Sequence, residues 1–236
     1  MTRARLRALG LAAVCLAVAA LAFAQLRRPA PTAAAQRPVL LLLTSLPLVF
    51  GEDFSIEGGG SPALTALQAR YRVVPISVAS PAELAKGRLL LMAQPFAQPP
   101  EDLVALDQWV RGGGRVLLLA DPLLEWPSKR ALGDRLRPPI MFTDTGLLGH
   151  WGLRLDAPDR PGMKRSSLGD RPIVTASPGS LHGGCRISAD GIVARCDIAR
   201  GRATVVADAD LLDAGNLGDA GPRNLQAVSQ ELDALK

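Results

Sequence analysis

The sequence predicts an α/β domain in which helices wrap a mostly parallel sheet. Five apolar runs of strand length recur along the chain, and helical patterns separate most of them. Such an alternation is typical of a parallel sheet covered by helices. Each run is nearly continuous in apolar residues, as expected for strands that are buried on both faces. The runs are Pro38–Leu43, Arg72–Val78, Arg88–Ala93, Arg115–Ala120 and Gly201–Ala207.

Helix signals lie between and after these runs. Ser61-Pro62 and Ser80-Pro81 each place an N-cap serine before a first-turn proline. A stripe of apolar residues with helical spacing predicts a helix over residues 101–112, and a similar stripe predicts the last helix over Arg223–Leu235. The stretch Asp156–Ile198 breaks the alternation, and we expect it to be an inserted loop followed by a hairpin.

The first 26 residues have the pattern of an export signal. Three arginines precede an apolar run from Leu9 to Ala24, and Ala22-Phe23-Ala24 matches a cleavage site. We therefore expect a signal peptide, or a retained transmembrane helix as an N-terminal anchor, and an exported, periplasmic protein. The Pro- and Ala-rich stretch 27–37 is predicted to link this segment to a single domain over 38–236. The alternative is a hydrophobic N-terminal helix packed in a cytosolic core.

The charge of the chain does not indicate a nucleic-acid partner. Lys and Arg number 27 against 22 acidic residues, a net charge of +5. Leaving out the three arginines of the export signal reduces the basic residues to 24, and the net charge to +2. Aromatic residues make up only 4% of the chain, so few rings are present on which bases could stack. We therefore expect no nucleic-acid binding.

Two cysteines outside the apolar N-terminal run are predicted to form a disulfide. Asp190-Gly191 is a strong hairpin signal, and a two-residue turn at this point places Cys185 opposite Cys196. Residues opposed in this way lie within the distance that a disulfide accepts. An oxidising compartment also favours the pairing. The alternative is a pair of buried thiols that meet on one apolar face.

Polar residues and glycines follow several of the predicted strands, at the edge where open α/β sheets bind ligands. The glycine-rich stretch before Ser61 can present backbone N–H groups to an anion, or it is a loop with an ordinary N-cap. Asp121, Asp208 and Asp210 can bind a ligand, or they cap turns. The candidate ligand-binding residues are Ser45, Glu52, Asp53, Gly59, Gly60, Ser61, Asp121, Asp208 and Asp210.

The sequence contains no recognisable catalytic motif. A G-x-S-x-G elbow is absent, and the two histidines lie in no recognisable metal-binding pattern. We therefore expect a binding or accessory module with no catalytic residues, no cofactor and no bound metal. The alternative is a metal-assisted hydrolase that uses Asp121, Asp208 and Asp210 as ligands or as acid and base.

Three segments resemble one known family. The first, Leu106–Pro122, contains an Asp-x-aromatic helix end, a glycine turn and a strand that ends in Asp-Pro. Further motifs of the family are matched, in the same order along the chain, by Asp144–Leu155 and by Gly201–Asp210 with the later Asn224-Leu225. Together they resemble the soluble auxiliary component of gliding-motility-type ABC transport systems. The resemblance implies an ABC transporter ATPase or permease, or another envelope protein, as the partner. The N-terminal segment itself predicts contact with the membrane.

The same resemblance implies a more specific fold. The family is similar to class I glutamine amidotransferases, so we expect a flavodoxin-like three-layer sandwich with a small disulfide-linked hairpin. In those enzymes the catalytic cysteine lies on an elbow after a strand. Here the third predicted strand leads into Gln94-Pro95-Phe96, without a cysteine. Amidotransferase activity is therefore not expected.

Overall fold

The protein is described here as a computed structural model that covers residues 37–51 and 60–236. Within these ranges, Pro38–Lys236 form one compact unit. No helix in the described ranges is long and apolar enough to cross a membrane. Outside them lie the predicted export signal, most of the predicted linker, and the candidate site residues Glu52, Asp53 and Gly59.

A seven-stranded sheet forms the centre of the fold. Its order is β2-β1-β3-β4-β11-β10-β9, and the first five of these strands are mutually parallel. The strands in chain order are β1 (Val39–Thr44), β2 (Arg72–Ile76), β3 (Leu89–Ala93), β4 (Arg115–Leu119), β5 (Leu153–Asp156), β6 (Met163–Leu168), β7 (Arg171–Ala176), β8 (Ser180–Gly183), β9 (Arg186–Ile187), β10 (Val193–Ile198) and β11 (Gly201–Val206). The mostly parallel α/β sheet predicted from the five apolar runs is thus confirmed.

Helices pack on both faces of this sheet. They are α1 (Pro62–Arg70), α2 (Pro81–Leu84), α3 (Pro100–Arg111), α4 (Leu147–His150) and α5 (Ala220–Leu235), with a 3₁₀ turn at Asp210–Leu212. Alternate strand residues point to opposite faces. Leu40 of β1 therefore packs in a core with α1 and α5, whereas Leu41 packs in a second core with α2, α3 and α4.

The segment between β5 and β10 contains more strands than the sequence predicted. β6 and β7 form a hairpin, and β5 pairs with β8 in a separate two-stranded ribbon. The sequence gives little sign of β6 because the strand is mostly polar and exposed from Met163 to Ser167. Its partner β7 contributes the buried Ile173 to the core, and β6 contributes Leu168 at its last position. The prediction of a loop followed by one hairpin was therefore incomplete.

The predicted disulfide between Cys185 and Cys196 is present, with 4.8 Å between the Cα atoms. The register agrees with the prediction, since Arg186 pairs with Arg195 beside the bridge. The turn is longer than predicted. Gly191 donates a backbone hydrogen bond to Ser188 and has a φ of +75°, but Asp190 is not left-handed, as a two-residue type I′ turn would require.

Removal of this disulfide should destabilise the sheet edge. The bridge closes a loop with a sequence separation of 11 and holds the two-residue strand β9 on β10. Chain-entropy arguments for a loop of this size predict a loss of about 3 kcal/mol. Urea unfolding of a C185A/C196A variant should show this loss, and the reduced wild-type protein should match the variant. A difference below about 1 kcal/mol would contradict this expectation.

Candidate functional site

The carboxyl ends of the parallel strands meet at one edge of the sheet, where open α/β folds bind ligands. Among the predicted site residues, the structure brings Ser45, Asp121, Asp208 and Asp210 to this edge. Hydrogen bonds connect Ser45, Asp121 and Asp210, and Asp208 lies close enough to the other two carboxylates to be repelled by them. Gln94, which the sequence did not single out, connects Ser45 to Asp121. The chemistry of the edge therefore depends on what these five side chains contact.

Asp121 follows Ala120, the first residue after β4. Its side chain is fully buried, and both carboxyl oxygens accept hydrogen bonds from backbone N–H groups. Its Oδ1 accepts a hydrogen bond from the backbone N–H of Leu123 at 2.8 Å. Its Oδ2 accepts from the backbone N–H of Ala209 at 2.8 Å and of Asp210 at 3.4 Å. The carboxyl group thus joins the chain after β4 to the chain after β11.

Asp208 and Asp210 are bound in the same way. Asp208 is fully buried and accepts hydrogen bonds from the backbone N–H groups of Ala176 and Leu211, both at 2.7 Å. Asp210 accepts from the backbone N–H of Glu125 at 2.7 Å. The three aspartates therefore serve as acceptors for turns and loops, which is the alternative role that the sequence left open.

The three aspartates form a cluster whose protonation is perturbed by burial. Burial raises the pKa of Asp121 to about 6 and that of Asp210 to about 7. Burial and repulsion from the other two carboxylates raise the pKa of Asp208 well above its ordinary value. The backbone N–H groups that donate to the three carboxylates lower these pKa values in part, but the effect of burial is larger.

Gln94 organises the neighbouring part of the edge. Its side chain is fully buried, and its backbone φ is +42°, which is unusual for a residue other than glycine, asparagine or aspartate. Its Oε1 accepts from the backbone N–H of Asp121 at 2.9 Å. Its Nε2 donates to the carbonyl oxygens of Asp121 at 3.1 Å and Pro139 at 3.0 Å. The polar residue directly after a buried strand was a usable sequence signal, but its partners were not predictable.

The glycine-rich entry to α1 does not present free backbone donors at Ser61. The N–H of Ser61 donates to Leu48, and the Ser61 hydroxyl accepts from the N–H of Leu64 at 3.1 Å. A side chain at Gly60 would lie 2.4 Å from a methyl group of Leu64. A larger residue at position 60 would force the Leu64 side chain to shift, so Gly60 packs closely against α1. Ser61 is an ordinary N-cap, and neither its N–H nor its hydroxyl is free for an anion.

A cavity of about 400 Å³ opens beyond the ends of β1 and β2. Its lining is mainly apolar. The described residues that line it are Leu42, Thr44, Ser45, Leu46, Pro47, Val49, Phe50, Gly51, Pro75, Ile76, Ser77, Phe96, Arg130, Leu136 and Pro138. Among the described residues, no group of three or more His, Cys, Asp or Glu side chains is arranged to hold a metal ion. The described lining of the cavity therefore offers mainly apolar contact.

Comparisons with known proteins show similarity at the level of the fold. No family model and no curated protein matches the chain. The solved mmIFT52 N-terminal domain is 12% identical, with a TM-score of 0.52 over 82% of this chain and 96% of that domain. Cytoplasmic Protein STM1381 from Salmonella typhimurium LT2 is 11% identical, with a TM-score of 0.50 over 84% of this chain and 99% of that protein.

A larger enzyme also contains a similar region. The exo-beta-1,4-mannosidase Op5Man5 from Opitutaceae bacterium strain TAV5 is 15% identical, with a TM-score of 0.49 over 84% of this chain. The match covers 35% of the mannosidase, so this chain spans about a third of that enzyme. The matches to the mmIFT52 N-terminal domain and to STM1381 support a common α/β fold and no more.

Proposed function

We propose that this protein is a non-catalytic binding or accessory module of the bacterial envelope, which holds a partner at the carboxyl edge of its sheet. One observation carries the proposal. The polar side chains after β3, β4 and β11 are committed to hydrogen bonds with the protein's own backbone, whereas the adjacent cavity is open and mainly apolar. Such an edge is suited to binding, because its described carboxylates already accept hydrogen bonds from backbone N–H groups.

A flavodoxin-like sandwich, similar to the class I glutamine amidotransferases, is the finer fold that we propose. Its support is the order of the five parallel strands, which corresponds to 2-1-3-4-5 when β11 is counted as the fifth. Gln94, with its left-handed backbone, stands after β3 where the amidotransferase resemblance places the catalytic cysteine. A glutamine amide bonded to backbone groups cannot replace a thiolate as nucleophile.

The envelope location and the ABC-type partner rest on the sequence. The N-terminal pattern of arginines, apolar run and cleavage site favours export, and the Cys185–Cys196 disulfide is compatible with an oxidising compartment. The motifs in Leu106–Pro122 and Gly201–Asp210 are the basis for an ABC ATPase or permease as partner. Cell fractionation should recover the protein in the envelope or periplasm with this disulfide formed. Recovery in the cytoplasm with both thiols free would contradict the location.

The partner can be identified by photo-crosslinking in cells. A photoreactive residue at Phe96, which is 41% exposed beside the cavity, should crosslink to an ABC permease, its ATPase or another envelope protein. The control position is Val104 on α3, which is 58% exposed and away from the cavity lining. Equal crosslinking from both positions would contradict a binding site at this edge.

A further inference from the structure

Among the residues that the structure describes, six large apolar side chains are exposed at or near the carboxyl edge of the sheet. We call this set the apolar rim. Phe50, Phe96 and Leu136 line the 400 Å³ cavity, and the loop after β4 presents the others. The exposed fractions are 71% for Phe50, 41% for Phe96, 75% for Leu132, 56% for Leu136, 43% for Ile140 and 64% for Met141. Exposed apolar clusters of this kind mark interaction surfaces.

We infer that the cavity receives a large apolar side chain from an acidic segment of a partner protein, with the apolar rim packed around it. This inference rests on the proposed function and specifies the chemistry of the partner. The cavity has the size of the smaller ligand pockets in proteins, which begin at about 300 Å³. A concave site of this size accommodates an inserted side chain, whereas a flat lipid surface would leave it unfilled.

The charge beside the cavity favours an acidic segment. The stretch 129–137 carries four basic side chains against the single acidic side chain of Asp134. Arg130 and Leu136 of this stretch both line the cavity, so the basic and apolar groups occur together. No described residue in the lining is acidic. Opposite charge on a partner would steer its approach and fix its orientation.

The same charge argues against two other occupants. In a symmetric dimer built on the apolar rim, the two basic stretches would face each other and repel. An anionic membrane would satisfy the charge, but it would not fill the cavity. An acidic peptide segment with an apolar anchor satisfies both features.

Synthetic peptides can test the inference on the full chain. The probe is a 12-residue peptide with Leu and Phe anchors flanked by Glu; two matched peptides replace Glu by Lys, or the anchors by Ala. Fluorescence anisotropy should show the acidic peptide binding at least about tenfold more tightly than either matched peptide, corresponding to about 1.4 kcal/mol. Binding should weaken as salt is raised, because exposed charges are screened.

Variants should locate this binding at the cavity. L136S and R135E should each weaken binding of the acidic peptide at least about fivefold, and V104S should leave it unchanged. Urea unfolding of each variant verifies that the fold is retained. Equal binding of the lysine peptide, binding that L136S does not reduce, or no binding of the acidic peptide would overturn the inference.

Two further measurements test the two alternative occupants of the apolar rim, a membrane and a second copy of this chain. Co-sedimentation with phosphatidylglycerol vesicles that L136S abolishes, without peptide binding, would indicate a membrane. A rim-dependent dimer in sedimentation would indicate a second copy. Either result would overturn the acidic-partner inference. If crosslinking from Phe96 to an envelope protein persists while the peptides fail, the proposed function stands and only the chemistry of the partner is wrong.

Discussion

The free energy of unfolding is expected to fall by on the order of 3 kcal/mol as the pH rises from about 4 to about 8. The cause is the buried cluster of Asp121, Asp208 and Asp210. Burial raises the pKa of Asp121 to about 6 and of Asp210 to about 7, from an ordinary value of 3.8. Between pH 4 and 7 the folded protein therefore holds more protons than the unfolded chain, so raising the pH favours unfolding.

At lower pH the free energy of unfolding changes in the opposite direction and falls as the pH falls. Hydrogen bonds to cationic or hydroxyl groups lower the pKa of Asp107, Asp190 and Asp233, despite the opposing effect of their partial burial. A carboxyl group with a lowered pKa contributes stability above its ordinary pKa and loses it as the pH falls. Stability should therefore be greatest near pH 4 to 5. Most proteins are most stable between about pH 5 and 8, so this maximum would lie at or below the lower end of that range.

The variant D210N isolates the contribution of the cluster. An asparagine amide can still accept from the backbone N–H of Glu125, but it carries no charge at any pH. Urea unfolding should give equal stability for D210N and wild type at pH 4.5, and a D210N protein more stable by about 2 kcal/mol at pH 8. The control D159N changes an exposed carboxylate and should follow the wild-type profile.

Two results would contradict this account of the cluster. One is a wild-type protein whose free energy of unfolding rises from pH 5 to pH 8. This would mean that ionisation of the buried aspartates does not destabilise the folded state. The other is D210N with an unchanged pH profile. In that case the titrating group would lie elsewhere in the chain.

The central sheet could be predicted because its signal is local. A strand buried on both faces must be apolar along its whole length, so continuous runs were sufficient to find β1, β3, β4 and β11. The edge strand β2 is apolar as well, although it is partly exposed. The β6–β7 hairpin has no such signal. It depends on tertiary contacts, including the side chain of Asn224 on α5, which bonds to both backbone groups of Val174 on β7.

The positions of the site residues could also be predicted, but their roles could not. Aspartates after strands β4 and β11 must lie at the carboxyl edge, as Asp121 and Asp208 do. Whether such a carboxylate faces a ligand or the protein's own backbone depends on loops that are distant in sequence. Ala176, for example, donates to Asp208 across 32 residues. The assignment of an ABC-type partner remains a prediction, because the structural comparisons bear only on the fold.

Replacement of Gln94 by alanine should cost about 3 kcal/mol of stability. The substitution leaves the buried N–H of Asp121 without its acceptor and removes the donor for the carbonyls of Asp121 and Pro139. Each buried polar group without a partner costs about 1 to 3 kcal/mol. For a domain of this size, the expected fall in Tm is roughly 6 to 12 °C. Thermal and urea unfolding of Q94A measure both quantities.

A second substitution, Q94G, distinguishes the stability effect of the Gln94 side-chain hydrogen bonds from that of its backbone conformation. Glycine adopts a φ of +42° without strain, so Q94G should lose the same hydrogen bonds yet be more stable than Q94A by about 1 kcal/mol. The exposed Gln108 on α3 provides the matched control, and Q108A should change stability by less than about 0.5 kcal/mol. If Q94A is as stable as Q108A, the side chain of Gln94 does not hold the chain after β3 to the chain after β4. If Q94G is less stable than Q94A, the left-handed backbone is not the source of strain.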